Sequence, residues 1–377
     1  MRPVLKPFLH RRDGENLLLV RDVGDAFEFV DPEGQIETLT KLLDGTRTVE
    51  QVAGDIRPLW PDLTASDVSE AVAQLDQTGL LEDADATTGL SEEDLLRYTS
   101  GLNFFSTFAS LERSRYSFQE RLRDAHVVLL GVGGLGSSVL LGMAGSGVGR
   151  LTLLDTDRVE LKNLTRQFLY VESEVGQPKV ARAAARARAA NSTIRVDALD
   201  RRVRGADDIA PLIADADLVV CGIDQPMASR YWVNEACVEA GVPWVGGGMT
   251  VTRLVYWSVW PGRSGCLVCR DVAGMGPDAG TGDVDGHDSD LRRWRTNRTI
   301  GPMASVVAGY VGLEALRYLT GFAAPVAAAR SWLIDVVTGG TTLELAWDRR
   351  DDCPVCGGTP ATRPDGTARS RPAEVAS

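Results

Sequence analysis

The most constraining feature of this chain is a glycine loop that directly follows an apolar segment. The residues Val127–Leu130 are aliphatic and lead into the run G-V-G-G-L-G. Within that run, Gly131, Gly133 and Gly136 fit the G-x-G-x-x-G fingerprint, which is meaningful only in this context, after a strand. Glycines let the backbone approach phosphate groups at the N-terminus of the next helix. We therefore predict a nucleotide site formed by these three glycines and Gly134.

Buried-strand and helical patterns alternate around and after this loop, which is the signature of a parallel sheet with helical crossovers. The predicted strands are 127–132, 151–155, 194–199, 218–221 and 244–246, and the predicted helices are 134–146, 177–190 and 227–240. Right-handed crossovers then give an α/β, doubly wound, Rossmann-like and mainly parallel sheet.

Polar residues suited to a triphosphate follow the predicted strand ends. Asp155 ends the strand after the glycine loop, where an acid can hold ribose hydroxyls. The glycine motif alone favours a dinucleotide oxidoreductase, but a hydride-transfer site has no need of the two cations, Arg166 and Lys179, that follow. A triphosphate that loses pyrophosphate does need them, because negative charge develops on the leaving group. Asp224, after another strand, can hold the Mg²⁺ that bridges phosphates.

Four of the six cysteines form two C-x-x-C pairs. Two such pairs predict a closed tetrahedral Zn²⁺ site, which is structural because it leaves no open coordination position. The alternative is two unrelated redox pairs. The predicted zinc ligands are Cys266, Cys269, Cys353 and Cys356. Because the two pairs lie far apart in the chain, the metal would clip the C-terminal region onto the domain.

The ordered segments GVGGLG, LLDTDRVELKNLTRQ, GQPK and CGIDQ closely resemble the ubiquitin-activating-type adenylyltransferases, the ThiF/MoeB family. The resemblance covers about residues 101–357. It implies that Asp155 binds the ribose of ATP, that Asn163, Arg166 and Lys179 bind its phosphates, and that Asp224 binds Mg²⁺. It also implies attack of a carboxylate on the α-phosphate, release of pyrophosphate and formation of an acyl-adenylate, usually by a homodimer with the same four-cysteine site.

One position departs from the family pattern. Members commonly have an R-Y-x-R-Q segment before the glycine loop, whose second arginine reaches ATP, but Ser100 stands at that arginine position here. Arg97, Arg113 and Arg115 are candidates to replace it, and the sequence does not choose among them. Gln225 stands where asparagine is usual, which keeps an amide.

Covalent catalysis by a cysteine or a histidine is not expected. Some relatives pass the acyl group to a cysteine between the zinc half-site and the next helix, but residues 270–299 contain none. The remaining cysteines, Cys221 and Cys237, lie on a predicted strand and in a predicted helix, where we expect buried thiols. Only three histidines are present, His10, His126 and His287. Carboxylate adenylation needs no strong base, because the nucleophile is already ionised at neutral pH.

Residues 1–82 differ from the rest of the chain in their order of strand and helix patterns, and they predict a small winged-helix-type α+β domain. Apolar segments 17–20 and 26–30 flank a turn and suggest a β-hairpin. Three helices follow, of which the second is capped by Thr48 and the third by Ser66. A return strand near Gly79–Leu81 closes the unit.

This N-terminal segment resembles the PqqD-like domains that bind leader peptides of ribosomally made natural products. The residues that carry the resemblance are 27–30, 39–46, 48–52 and 75–81. An extended leader can add a strand to the exposed edge of the hairpin. Binding of DNA is the alternative, but only Lys41 and Arg47 are basic between Gln35 and Gln51, too few to neutralise phosphates.

Charge and hydropathy limit the partners. The net charge of −12 and the pI near 4.9 disfavour nucleic acids and anionic membranes. With no apolar segment typical of a signal peptide or membrane span, we expect a cytoplasmic protein. The expected divisions are the domain 1–82, a linker 83–100, the adenylation domain 101–357 with a mobile loop over 271–290, and a disordered tail 358–377.

Three functions fit these features. The first is adenylation of a carboxylate on a precursor peptide held through its leader, a step in antibiotic-type natural-product biosynthesis. The second is an ATP-inactive leader-binding partner of a separate azoline-forming cyclodehydratase, which the serine at position 100 favours. The third is adenylation of a sulfur carrier protein, which leaves the N-terminal module without a role.

Overall fold

The computed structural model describes residues 1–22, 24–271 and 298–358. The chain divides into two compact units, one of residues 1–120 and one that begins at Arg121. The predictions of a mobile loop over 271–290 and of a disordered tail from residue 358 fall outside the described residues, apart from their first positions. So does His287.

The first unit begins with strands and continues with helices. The strands are β1 (Pro3–Leu5), β2 (Leu9–Asp13), β3 (Asn16–Asp22), β4 (Asp25–Val30) and β5 (Leu81–Asp83), and the helices are Gln35–Leu42, Val49–Ile56, Ala65–Gln77, Glu92–Arg97, Thr99–Ser106 and Arg115–Asp124, the last of which crosses into the second unit. Strands β2, β3 and β4 form an antiparallel sheet in that order, and β1 pairs with β5.

Most of the local predictions for this unit are confirmed. The hairpin is β3 with β4, and Leu17 and Leu19 on its inner face are fully buried. Thr48 caps the second helix in a reciprocal capping box with Gln51. The prediction of Ser66 as the third cap is wrong, because Thr64 accepts the N–H of Asp67 and the helix begins at Ala65, so the cap lies two residues earlier than predicted. A capping box needs its acid three residues after the cap, and Asp67 satisfies Thr64.

The segment after β5 is bonded back to the residues before it. The ammonium of Lys6 is 5% exposed and donates to the carbonyls of Gly79 and Ala109 at 2.6 and 2.7 Å. Arg115 pairs with Glu82 at 2.6 Å, so residues on both sides of the predicted 83–100 linker are linked. The stretch predicted as a linker contains the helix Glu92–Arg97.

The second unit is an α/β layer structure. Its strands are β6 (His126–Leu130), β7 (Arg150–Leu154), β8 (Arg195–Leu199), β9 (Leu218–Cys221), β10 (Trp244–Thr250), β11 (Arg253–Val259), β12 (Arg330–Asp335) and β13 (Thr341–Ala346), and its described helices are Gly134–Gly145, Lys179–Ala190, Ala206–Ile213, Ser229–Ala240, Leu267–Arg270 and Gly301–Thr320. The eight-stranded sheet has the order β13-β12-β11-β10-β9-β6-β7-β8.

The part of the sheet from β10 to β8 is parallel. Every residue of β6 is buried, as expected for a central parallel strand. A side chain on Gly246 would meet the indoles of Trp257 and Trp244, whereas one on Gly247 would meet Val311 of the helix Gly301–Thr320. The two tryptophans and that helix therefore lie on opposite faces of the sheet, and the predicted α/β fold with a mainly parallel sheet is confirmed.

The antiparallel strands β11, β12 and β13 extend this core beyond β10. The sequence patterns did not assign them. None of the helices within the described residues has the length and apolar character needed to cross a membrane.

Candidate active site

Parallel pairing aligns three strand ends around the glycine loop. Leu130 at the end of β6 pairs with Leu154 of β7 on one side and with Cys221 of β9 on the other. Gly131 then donates its N–H to the carbonyl of Leu154 at 2.8 Å, and its φ of +93° suits glycine. A Cβ on Gly131 would lie 2.9 Å from the carbonyl group of Gly222, so the two loops approach too closely for any other residue.

The peptide groups of Val132 are held from two sides. Its N–H donates to the carboxylate of Asp155 at 2.8 Å, and its carbonyl accepts the hydroxyl of Tyr170 at 2.7 Å. The second carboxylate oxygen of Asp155 accepts the N–H of Asp157 at 2.8 Å. Burial raises the pKa of Asp155 and also that of Tyr170, which keeps the phenol a neutral donor. The glycine loop is therefore fixed before any ligand arrives.

A short 3₁₀ turn, Leu161–Asn163, presents the next group of residues. Asn163 is 3% exposed, and its Oδ1 accepts the N–H of Glu160 at 2.9 Å. The guanidinium of Arg166 donates to the carbonyl of Lys162 at 3.1 Å. The buried side chain of Gln167 faces Gly133, and within the described residues its Oε1 accepts no hydrogen bond.

Lys179 begins its helix in a buried position. Its side chain is 4% exposed, and its ammonium lies 2.9 Å from the Oδ2 of Asp157, which is 68% exposed. The backbone of the same two residues is also joined, since the N–H of Lys179 donates to the carbonyl of Asp157 at 2.9 Å. The cation is therefore held beside the end of β7.

Asp224 lies in the loop after β9, on the other side of the glycine loop from Asp155. Its side chain is exposed, and it makes no hydrogen bond or ion pair within the described part of the chain. The hydroxyl of Ser229 donates to the carbonyl of Ile223 at 3.4 Å, which joins this loop to the start of the next helix. The carboxylate is therefore available to a cation.

The arginines proposed to replace the one missing at Ser100 each have a contact within the first unit. Arg97 pairs with Glu93 at 2.7 Å, and Arg115 pairs with Glu82. The guanidinium of Arg113 lies 3.9 Å from the centre of the Phe118 ring. Their role toward ATP stays a prediction.

The four predicted zinc ligands come together in the second unit. Their sulfur atoms lie within 4.8 Å of one another, and all four residues are buried. The Sγ atoms of Cys266 and Cys353 are 3.7 Å apart, and those of Cys269 and Cys356 are 3.4 Å apart. A tetrahedral zinc with ~2.3 Å bonds needs sulfurs about 3.8 Å apart, so the cluster fits Zn²⁺.

The two remaining cysteines are buried, as predicted. Cys221 is 4% exposed and Cys237 is fully buried. Burial raises the pKa of both thiols, so neither is a thiolate at neutral pH.

Sequence prediction missed three residues of this site: Asp157, Gln167 and Tyr170. Asp157 and Gln167 lie inside segments that were quoted for the family resemblance, so their position beside Asp155 and Arg166 was the available signal. Tyr170 carries no motif that could have revealed its contact with Val132.

Comparison with known proteins agrees with this geometry. The ThiF family model matches residues 105–355. The chain is 31% identical over 275 residues to the sulfur carrier protein ThiS adenylyltransferase of Escherichia coli, which is 72% of this chain and 99% of that protein. It is also 31% identical to the E. coli molybdopterin-synthase adenylyltransferase, over 71% of this chain and 98% of that protein.

The chain belongs to the ThiF family. It is an adenylyltransferase, and its use of ATP follows from that membership, as predicted. The E. coli MccB structure with AMPCPP and MccA has a similar fold, with a TM-score of 0.76 and 23% identity over 95% of this chain and 100% of that one. Another MccB structure, with a TM-score of 0.74 and 22% identity, is described as a microcin C7 biosynthetic enzyme in complex with N-formylated MccA, over 95% of this chain and 100% of that one.

Proposed function

We propose that this enzyme adenylates a carboxylate of a ribosomally made precursor peptide, whose leader is bound by a PqqD-like domain of residues 1–82. The observation that carries the proposal is a difference in coverage. The sulfur-carrier relatives align with 72% and 71% of the chain, whereas the MccB fold matches 95% of it. The additional N-terminal part is therefore a shared feature of this chain and of MccB, whose structures include complexes with MccA.

The proposed reaction uses the residues around the glycine loop. Gly131, Gly133, Gly134 and Gly136 line the phosphates, and Asp155 holds the ribose. A substrate carboxylate oxygen attacks the α-phosphorus of ATP and forms the new O–P bond. The bond from that phosphorus to the bridging oxygen breaks, and pyrophosphate leaves with the electron pair.

Cations must stabilise the charge that builds up on the leaving group. We assign this role to Lys179 and Arg166, with Asn163 as a further donor. Lys179 would exchange its contact with the exposed Asp157 for one with phosphate, at little cost because Asp157 is already solvated. Asp224 has a free carboxylate of the type that Mg²⁺ prefers, and bound Mg²⁺ would neutralise phosphate charge there.

The leader would bind at a free edge of the three-stranded sheet. Strands β2 and β4 are its edges, since each pairs only with β3 among the described residues. Each edge also exposes an apolar side chain, Leu9 at 69% and Val30 at 73%. An extended peptide would gain main-chain hydrogen bonds from such an edge and side-chain contacts from its neighbours.

We further propose that the enzyme acts as a homodimer.

A sulfur carrier protein is the second candidate substrate, favoured by the names of the relatives at 31% identity. The ATP-inactive partner is not retained, because the relatives that show the family are adenylyltransferases.

Isotope exchange between pyrophosphate and ATP tests the proposal with the intact protein. The acyl substrates are any short peptide found to be encoded beside the gene for this chain, the same peptide without its N-terminal leader, and a ThiS-type carrier protein. We expect exchange with the full precursor, a value of kcat/KM at least about 10-fold lower without the leader, and none with the carrier. Exchange with the carrier alone would overturn the proposal.

A further inference from the structure

Arg230, at the start of the helix Ser229–Ala240 after β9, is a cation without a counter-charge among the described residues. Its side chain is half-buried, and its guanidinium lies 5.2 Å from the centre of the Trp257 ring. Throughout the described ranges, this guanidinium makes neither an ion pair nor a hydrogen bond. Most partly buried arginines of this chain do have such partners, for example Arg115 and Arg317. Five unused N–H donors in a partly desolvated position favour binding of a planar anion.

Arg230 lies beside the part of β10 that extends beyond its parallel partner β9. Strand β9 ends at Cys221, which pairs with Gly246, so residues 247–250 extend past the end of β9. A Cβ on Gly248 would lie 3.7 Å from the Nη2 of Arg230. The methyl group of the next residue, Met249, would lie 3.7 Å from a Cβ on Gly134. Gly248 and Met249 are consecutive in β10 and face opposite sides of the strand, so the extended end of β10 lies between Arg230 on one side and the glycine loop on the other.

The helix start that carries Arg230 is also bonded to the loop of Asp224. The N–H of Ser229 donates to the carbonyl of Pro226 at 2.9 Å, and its hydroxyl donates to the carbonyl of Ile223. Arg230 and Asp224 therefore lie at opposite ends of one short, closed loop. Neither side chain makes an ion pair or a hydrogen bond within the described residues.

We propose that Arg230 binds the carboxylate of the acyl substrate and presents it to the α-phosphate. This inference rests on the proposed adenylation. A guanidinium and a carboxylate share a two-pronged geometry, and the ring of Trp257 holds the guanidinium plane. Because Gly248 has no side chain, the space in front of the Nη2 atom stays open.

The side of the glycine loop on which Arg230 lies indicates whether it binds the substrate carboxylate or a phosphate of ATP. Arg166 and Lys179, assigned to the phosphates, come from the chain after β7, whereas Arg230 follows β9 and lies against β10. In an in-line displacement the attacking and leaving oxygens lie on opposite sides of the phosphorus. A cation on the β10 side suits the attacking carboxylate, and the cations after β7 suit the leaving pyrophosphate.

The variant Arg230→Met tests this assignment. It keeps a long apolar side chain beside Trp257 and removes the donors. We expect kcat/KM for the acyl substrate in pyrophosphate exchange to fall about 10- to 100-fold. The dissociation constant of AMPCPP with Mg²⁺, measured by calorimetry, is expected to stay within about twofold of that of the wild type.

Arg263→Met is the matched control, since Arg263 is an exposed arginine whose guanidinium lies 4.4 Å from the Trp260 ring. Its kinetics should be those of the wild type. Unchanged kcat/KM in Arg230→Met, or an AMPCPP affinity that falls as it does in Lys179→Met, would overturn the proposal.

If Arg230→Met does not fold, Arg230→Lys decides the question, because it keeps the charge and loses the two-pronged geometry. A reduced kcat/KM with normal AMPCPP affinity supports the proposal, and wild-type values refute it. Exchange with the carrier protein but not with the precursor peptide overturns the proposed function only. Arg230 is then judged by the same criteria on the carboxylate of the carrier.

Discussion

The two sides of the glycine loop differ in whether their polar side chains are already bonded to other residues before a ligand binds. On the side of β7, the polar groups are already bonded to one another, as in Val132 with Asp155 and Lys179 with Asp157. On the side of β9 and β10, Asp224 and Arg230 make no ion pair or hydrogen bond to any described residue. The first side is ordered before any ligand binds. In our proposal, the second side keeps its charges for the metal and the acyl group.

This difference has a physical reason. Donors that stabilise a transition state act best when the fold has already oriented them, since no reorganisation is then needed during the reaction. A partly desolvated arginine that stays unpaired costs stability, and only binding of an anion recovers that energy. We infer that the nucleotide side sets the chemistry and the acyl side selects the substrate.

The variant Lys179→Met should have the largest effect. It removes the buried cation from the nucleotide side and keeps the aliphatic stem. We expect pyrophosphate exchange to fall about 10²- to 10³-fold, together with a weaker affinity for AMPCPP. Lys162→Met is the control, because the side chain of Lys162 is 73% exposed and pairs with Glu160. Unchanged AMPCPP affinity in Lys179→Met would contradict the assignment of Lys179 to the nucleotide, and with it the difference proposed between the two sides.

The variant Asp155→Asn should have an intermediate effect that depends on pH. An ordinary aspartate has a pKa of about 3.9. Burial raises the pKa of Asp155 above this value, so its carboxylate takes up a proton at a higher pH. Affinity for AMPCPP should therefore fall as the pH drops through this raised pKa. The Asn variant should bind AMPCPP about 10-fold more weakly at pH 7 and lack that pH-dependent step.

The same shift has a consequence for stability. Because the folded pKa is above the unfolded one, charging Asp155 destabilises the fold as the pH rises through the folded value. The Asn variant should not show this loss in thermal unfolding between pH 4 and pH 7. Identical pH profiles for the wild type and the variant would show that Asp155 does not carry the effect.

The variant Tyr170→Phe should have the smallest effect. It leaves the carbonyl of Val132 without its donor and keeps the ring. We expect the melting temperature to fall by about 2–4 °C, for a loss of ~1 kcal/mol. The AMPCPP dissociation constant should rise by about a factor of three, because the loop is less well fixed. Tyr310→Phe is the control, since Tyr310 stacks on Tyr256 at 5.2 Å. Equal effects of the two variants would show that the hydroxyl of Tyr170 does not order the loop.

Local patterns predicted much of the fold. The strands β6, β7, β8 and β9, the start of β10 and the helices Gly134–Gly145, Lys179–Ala190 and Ser229–Ala240 lie near their predicted positions, because buried strands and helices have characteristic apolar periodicities. The helix Ala206–Ile213, between β8 and β9, was not predicted. The antiparallel strands β11 to β13 were not predicted. Their pairing joins residues that are far apart in the chain, such as Arg253 with Asp335. Periodicity alone does not specify such partners.

The sequence by itself determined the glycine loop, the ThiF-family membership and the residues of the four-cysteine cluster. The glycine spacing, the aspartate after the next strand and the C-x-x-C pairs have their meaning in local backbone geometry. Only the tertiary structure identified Tyr170 as the support of Val132 and Arg230 as a cation with no ion pair among the described residues. An arginine in a helix is ordinary in sequence. Residues 247–250 of β10, which extend past β9, and the register of the parallel strands decide which side chains lie near the glycine loop. Both depend on pairing between residues that are far apart in the chain.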